Sequence, residues 1–222
     1  MMQQGTIQKA KAISLRFLIV AGIFLLSLLL FIVIANEMVL ESENTLDFAV
    51  FQKLQSITNA SMTRAMQFIT FFGSNYFLLP AYIIVITYFL VYKKTRKLSL
   101  DIAATGITST IILFSLKAIF HRPRPVDPLI KSVSGFSFPS GHSFSSFTFF
   151  GLLIYIVWNQ KTTKAVKWAN TLFLFFFACA IAFSRVYLHV HYASDVIAGF
   201  FLCLVWLSLS FWMIKKYGHK LP

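Results

Sequence analysis

The sequence predicts an all-α integral membrane bundle of six spanning helices, with an amphipathic segment lying in the outer interface between the first and second spans. Composition is the first observation behind this: of 222 residues, 58% are hydrophobic and only 12% charged, with a mean hydropathy of +0.74. Soluble domains average about 45–50% apolar and about 25% charged residues. The second observation is that charge-free stretches recur at 17–36, 65–92, 102–116, 132–160, 168–184 and 196–214, at or near the roughly 20 residues that cross a bilayer as helix. The third is that the 20 basic residues are distributed unevenly among the connecting segments. Such a greasy, charge-poor chain is neither disordered nor soluble, and two cysteines exclude a disulfide framework or a Cys-rich zinc module.

The spans are placed at about 14–36, 75–92, 98–120, 140–159, 168–187 and 195–214, in a single domain over 1–222. The third and fifth reach full length only if Lys117 and Arg185 are accepted at their ends. Pro80 is expected to kink or locally loosen the second span. The first is read as an uncleaved anchor: its apolar run exceeds a signal-peptide core of about 7–15 residues, and no small-x-small site follows Ile34-Ala35-Asn36. Between the first two spans, about 44–72 is too polar to cross. Leu46, Val50, Leu54, Ile57, Met62, Met66 and Ile69 recur there at helical spacing among Lys53, Gln55, Asn59, Ser61 and Arg64. An amphipathic helix broken near Asn59 is expected, ending at Gly73-Ser74, as a cap on the bundle or as a gate beside which lipid enters.

Lysine and arginine in short loops orient a membrane protein. One set of ends carries Lys9, Lys11, Arg16, Lys93, Lys94, Arg96, Lys97, Lys161, Lys164, Lys167, Lys215, Lys216 and Lys220, opposed only by Asp101. The other carries Lys53, Arg64, Lys117, Arg122, Arg124, Lys131 and Arg185, with Glu37, Glu41, Glu43, Asp47, Asp127 and Asp195. The net charges are +12 and +1, so both termini are expected in the cytoplasm. Nucleic-acid binding is discounted, because the cytoplasmic bases are split among four short segments. The sequence names no protein partner; the implied partner is the lipid bilayer itself.

Three clusters fall on the outer side, where their residue types are costly near a bilayer. Lys117-Ala-Ile-Phe-His121-Arg122-Pro123-Arg124-Pro125 closes the third helix, Pro139-Ser140-Gly141-His142 opens the fourth, and Ser184-Arg185 through His189, His191 and Asp195 joins the fifth to the sixth. Lys117, Arg122, Arg124 and Arg185 are four cations for one region, and arginine forks match phosphate oxygens. Ser140-Gly141-His142 at a helix start offers free N–H groups and the positive end of the helix dipole. His191 and Asp195 are four apart, so on one helical turn the carboxylate can hold the imidazole and leave the other nitrogen free to attack. His142, from another helix, is placed to serve the leaving group. No carboxylate cluster suits a magnesium ion, so no metal and no cofactor are expected.

The spacings Lys117-x6-Arg124-Pro125, Pro139-Ser140-Gly141-His142 and Ser184-Arg185-x5-His191-x3-Asp195 resemble the three signature motifs of the type 2 phosphatidic acid phosphatase superfamily. Its membrane branch contains lipid phosphate phosphatases and bacterial phosphatidylglycerophosphatase B-type enzymes. The resemblance implies that His191 is the nucleophile forming a phosphohistidine, with Asp195 its partner. It implies that His142 protonates the leaving oxygen and later activates water, and that Lys117, Arg124, Ser140, Gly141 and Arg185 bind the phosphoryl group. Arg122 lies outside the matched spacing and is expected only as an additional phosphate contact, on charge and proximity.

The expected function is therefore metal-independent hydrolysis of a lipid phosphate or diphosphate at the outer face of a bacterial inner or plasma membrane. By resemblance the substrate candidates are phosphatidylglycerophosphate, undecaprenyl diphosphate and phosphatidate. Three alternatives stay open: phosphotransfer to an acceptor other than water, a non-catalytic lipid-phosphate transporter or binder, and a zinc site built from His189, His191 and His121 or His142. The binder needs cations but not His142, His191 and Asp195 together, and the surrounding cations would repel a metal. His189 is read as structural, and Cys179 and Cys203 as small apolar packing groups.

Overall fold

The structure, a computed structural model, describes residues 2–40, 45–131 and 133–217. Glu41, Glu43, Lys220 and the first residue of the expected interfacial helix lie outside the described residues, as do the side chains of Lys9, Lys11 and Arg16. Among the described residues there are eight α-helices and no strand: α1 (Met2–Ala35), α2 (Thr45–Gln55), α3 (Ala60–Phe71), α4 (Asn75–Thr87), α5 (Arg96–Phe120), α6 (Gly141–Trp158), α7 (Lys164–Tyr187) and α8 (Ala193–Tyr217). Wider π-type turns extend α1 over Asn36–Leu40 and α4 over Tyr88–Tyr92. Six helices are long and apolar enough to cross a membrane, and the protein is a multi-pass membrane protein. α4 runs unbroken through Pro80, and the widened turns come later, at 88–92.

α6 is the central post. Half of its apolar span is buried, a larger share than in any other span, and it packs against α4, α5, α7 and α8. The sequence allows this because bulky Phe144, Phe147, Phe149 and Phe150 alternate with small residues. Small residues let membrane helices approach closely. A Cβ added at Gly151 would collide with Leu207 Cδ1, and one at Gly199 would sit 3.1 Å from the Ser140 carbonyl, so α6 and α8 are nearly in backbone contact beside the N-terminus of α6. α1 lies against α8 and turns Leu15, Leu18, Leu25, Leu26 and Leu29 outward, as a lipid-facing helix should. Two hydroxyls of α5 are satisfied within the helix: Thr105 Oγ1 donates to the Asp101 carbonyl at 2.8 Å and Thr110 Oγ1 to that of Gly106 at 2.9 Å.

The amphipathic segment is two helices, with the break where the sequence placed it. Asn59 separates them and caps α3, its Oδ1 accepting from the Met62 N–H at 2.9 Å. Its apolar side faces the chain between α7 and α8: Leu54 and Met66, with Val50, Met62 and Ile69, pack on Val186, Tyr187, Leu188 and Val190. Leu46 and Ile57 stay exposed. The Asn59 N–H donates to the Tyr187 hydroxyl at 3.3 Å. The segment is thus fastened onto the connection that carries His191.

Candidate functional site

Three chain segments meet at the end of the bundle where α5 stops and α6 and α8 start. α5 ends in a left-handed residue, His121 (φ 50°, ψ 23°), whose N–H still reaches the Lys117 carbonyl at 3.2 Å. The chain then enters Arg122-Pro123-Arg124-Pro125, where each proline biases the preceding arginine toward extended backbone. Leaving α7, the N–H groups of Leu188 and Val190 bond back to the carbonyls of Ser184 and Arg185 at 3.0 and 3.1 Å, and that of His191 to Arg185 at 3.3 Å. His191 is thereby tied to the last turn of α7, four residues before Asp195 in the first turn of α8.

His191 and Asp195 are buried together, 2% and 0% exposed, with Nδ1 3.4 Å from Oδ2. That direct contact is long. Ser137 closes it: its hydroxyl donates to Asp195 Oδ2 and lies 3.3 Å from His191 Nδ1. The Tyr192 N–H donates to the same Oδ2 at 2.9 Å. Oδ1 belongs to Arg122, whose Nη1 donates to it at 2.7 Å.

The arginines grip this pair from opposite ends. Arg124 Nη1 is 3.1 Å from His191 Nε2 and donates to the Val190 carbonyl at 2.7 Å, while its Nε donates to the Gly135 carbonyl at 2.9 Å. Arg122 does not join it. Its Nη2 donates to Asp47 Oδ2 at 2.8 Å, its Nη1 also reaches Ser194 Oγ at 2.7 Å, and its guanidinium stacks 4.1 Å over the Tyr192 ring. It is 5% exposed. The expectation of an extra phosphate contact from Arg122 is corrected on this geometry, because two buried carboxylates occupy its fork. Burial works against its charge, but Asp195 and Asp47 together hold its pKa above the usual guanidinium value. Arg124, lacking such partners, is shifted downward by burial.

The other expected groups come from the same end of the bundle. Lys117 Nζ donates to the Phe136 and Ser137 carbonyls at 2.6 and 3.3 Å, and its Cε is 4.0 Å from where a Gly141 Cβ would stand. Arg185 is 3% exposed; Nη1 donates to Thr70 Oγ1 at 2.7 Å, and Nε is buried with no partner. Ser140 caps α6, its Oγ accepting from the Ser143 N–H at 3.4 Å, while its own N–H donates to the Asp195 carbonyl at 3.0 Å. The Ser140 N–H is therefore committed, and the first-turn N–H groups of Gly141 and His142 are those without an intrahelical acceptor. His142 lies within electrostatic reach of Arg185, His191, Arg124 and Lys117.

Burial pushes the pKa of His191 from 6.5 down to about 3, with Asp195 opposing and Arg185 and Arg124 reinforcing the shift. Burial thus favours the neutral imidazole. His189 is separate from the site: it adopts φ 53°, packs on Phe51 at 4.9 Å, and burial lowers its pKa.

Sequence reasoning missed Ser137, Ser194 and Gly73. Ser137 and Ser194 are lone serines beside the motifs. Gly73 was read only as a helix stop. A Cβ there would meet Ile181 Cγ2 at 2.5 Å, Ser146 Oγ at 2.9 Å and His142 Cδ2 at 3.0 Å, so this turn lies directly behind His142.

Residues 96–218 match the family model described as the PAP2 superfamily. The chain is 29% identical over 194 residues to phosphatidylglycerophosphatase B of Bacillus subtilis, covering 87% of this chain and 93% of that one. It is 26% identical over 200 residues to an undecaprenyl-diphosphatase of Sulfolobus acidocaldarius, covering 86% and 90%. The crystal structure of a transmembrane PAP2-type phosphatidylglycerolphosphate phosphatase from Bacillus subtilis superposes with a TM-score of 0.80 at 27% identity, over 87% of this chain and 96% of that one. The family match covers more than half of the chain and takes in all three segments that converge on His191, so this protein belongs to the PAP2 superfamily and is a membrane phosphatase of that family.

Proposed function

We propose that the protein hydrolyses a lipid phosphate or diphosphate at the outer membrane interface through a phosphohistidine on His191. The observation that carries this reading is a buried imidazole whose Nε2 meets the Arg124 guanidinium, with Arg185 and a second histidine in electrostatic reach, and whose Nδ1 is held by a carboxylate and a serine.

Arg124 Nη1 donates to Nε2, and phosphoryl oxygens are the stronger acceptors for that guanidinium. When they take it over, the Nε2 lone pair is released toward phosphorus. As the Nε2–P bond forms and the bond from phosphorus to the leaving oxygen breaks, charge on the phosphoryl oxygens is met by Lys117, Arg124 and Arg185 and by the first-turn N–H groups of α6. His142 gives a proton to the leaving oxygen. Positive charge developing on the imidazole is stabilised through Nδ1–H by Ser137 and Asp195. In the second half His142 takes a proton from water, the water oxygen bonds to phosphorus, the Nε2–P bond breaks, and inorganic phosphate leaves. The cations supply the charge stabilisation, so activity in chelator is expected.

The outer face is supported by the charge asymmetry of +12 against +1 between the two sets of ends. The substrate class is supported by the relatives, a phosphatidylglycerophosphatase B and an undecaprenyl-diphosphatase. A phosphate-release panel tests the reading, using purified protein in detergent with chelator, offered phosphatidylglycerophosphate, undecaprenyl diphosphate and phosphatidate. Release from at least one lipid by the wild type and from none by His191→Ala is expected. Wild-type turnover by the variant, or no release from any lipid, refutes it.

A further inference from the structure

We infer that Asp47, in the segment between the first two spans, is a positioning residue for the nucleophile, acting through Arg122 and Ser194; this rests on the phosphohistidine reading above. Asp47 stands on α2, far in sequence from every motif, yet it is 0% exposed. A carboxylate removed from water to this degree needs strong partners, and all of those found lead to the dyad. Its Oδ2 accepts from Arg122 Nη2 at 2.8 Å and from Ser194 Oγ at 2.6 Å, and its Oδ1 accepts from the Ser194 backbone N–H at 2.9 Å.

Two routes then run to His191. In the first, Asp47 holds one arm of the Arg122 fork so that the other meets Asp195 Oδ1. With Oδ1 so anchored, Oδ2 is left facing Ser137, Tyr192 N–H and His191 Nδ1. In the second, Asp47 caps α8 in trans: Ser194 is in the first turn of that helix, where N–H groups lack internal acceptors and a negative charge is favoured. Asp195 is the next residue. The α2 carboxylate therefore sets both the side chain and the backbone of the group that orients the nucleophile. It makes no hydrogen bond to Lys117, Arg124 or Arg185, so the cationic side chains of the phosphate cradle are held independently of it.

That separation makes the inference testable. Asp47→Asn, nearly isosteric, is compared with Arg122→Lys, Asp47→Glu, His191→Ala and wild type for steady-state kinetics, inhibition by inorganic phosphate and thermal unfolding in the same detergent. Asp47→Asn and Arg122→Lys are expected to lose kcat by about 10- to 100-fold, the scale of small misplacements of reacting groups. KM and the phosphate inhibition constant should stay within about twofold, and Asp47→Glu should recover part of kcat. Folded Asp47→Asn with wild-type kcat, or with KM and phosphate inhibition altered and kcat kept, overturns the inference. If Asp47→Asn does not fold, Arg122→Lys carries the same test alone. Turnover by His191→Ala refutes the phosphohistidine reading itself, whereas an inactive His191→Ala beside a fully active Asp47→Asn refutes only the role given to Asp47.

Discussion

Arg124 Nη1 lies 3.1 Å from His191 Nε2, and because a guanidinium has no lone pair to offer, Nε2 must be the acceptor. The proton therefore sits on Nδ1, facing Ser137 and Asp195, and the nitrogen exposed to the cationic side is the one that can attack. The arginine proposed to bind phosphate also selects the tautomer of the proposed nucleophile.

A first prediction concerns this proton. With a folded pKa near 3 against 6.5 for the free group, His191 stays neutral from pH 7 to pH 5. Ring-nitrogen NMR of the protein in micelles should show a neutral Nδ1–H imidazole throughout that range. The sign for stability follows from linkage: between about pH 3 and 6.5 the unfolded chain binds more protons than the folded one, so the fold weakens as pH falls through that window. His191→Gln lacks the titrating ring and should lose less stability than wild type over the same acidification. Equal losses would contradict the assignment.

Ser137 bridges a contact that is otherwise long, 3.4 Å between His191 Nδ1 and Asp195 Oδ2. Ser137→Ala should lower kcat by about 10-fold with little change in KM, since its hydroxyl touches the dyad and not the cradle. A purely KM effect would place Ser137 in substrate binding instead.

Gly73 and Gly151 make a matched pair. An added methyl at Gly73 presses on His142, whereas one at Gly151 presses on Leu207, inside the bundle. Gly73→Ala should slow turnover of alkyl lipid phosphates more than of an aryl phosphate, whose leaving group needs less help from an acid. Gly151→Ala should cost about 1–3 kcal/mol of stability from overpacking and show the same ratio of the two activities as wild type. Parallel loss on both substrates in Gly73→Ala would mean that His142 is not displaced.

Arg185 is held by the Thr70 hydroxyl at 2.7 Å with its Nε unpartnered, leaving part of its fork for a ligand. Arg185→Lys keeps the charge but loses the fork. It should weaken inorganic phosphate inhibition and lower kcat/KM by about 100-fold or more, the scale of losing one donor to a developing oxyanion. Thr70→Ala should do the same more mildly. Unchanged phosphate inhibition in Arg185→Lys would remove Arg185 from the cradle.

Much of this was legible in the sequence because membrane constraints are strict. Six apolar runs read as spans, and Asn59 read as the break in the interfacial segment, since its side chain competes with helix and favours a cap. Lys117, Arg124, Ser140, His142, Arg185, His191 and Asp195 were legible as candidates because polar residues near lipid need a reason. Arg122 was misjudged: charge and proximity pointed to phosphate, but its carboxylate partner stands on α2, 75 residues earlier. Asp47 looked like one of several outer-side acids on an amphipathic helix. Ser137, Ser194 and Gly73 carry no local signal, because their importance arises only from what the fold places against them.

His191 is proposed to carry the phosphoryl group between the two half-reactions. The most direct measurement is rapid acid-free quenching of the purified protein with a radiolabelled lipid phosphate, followed by peptide mapping of the label. A base-stable, acid-labile label is expected on the peptide containing His191, formed and lost at rates compatible with turnover and absent from His191→Ala. Label on another residue, or full turnover with none trapped on His191 at any time, would contradict it.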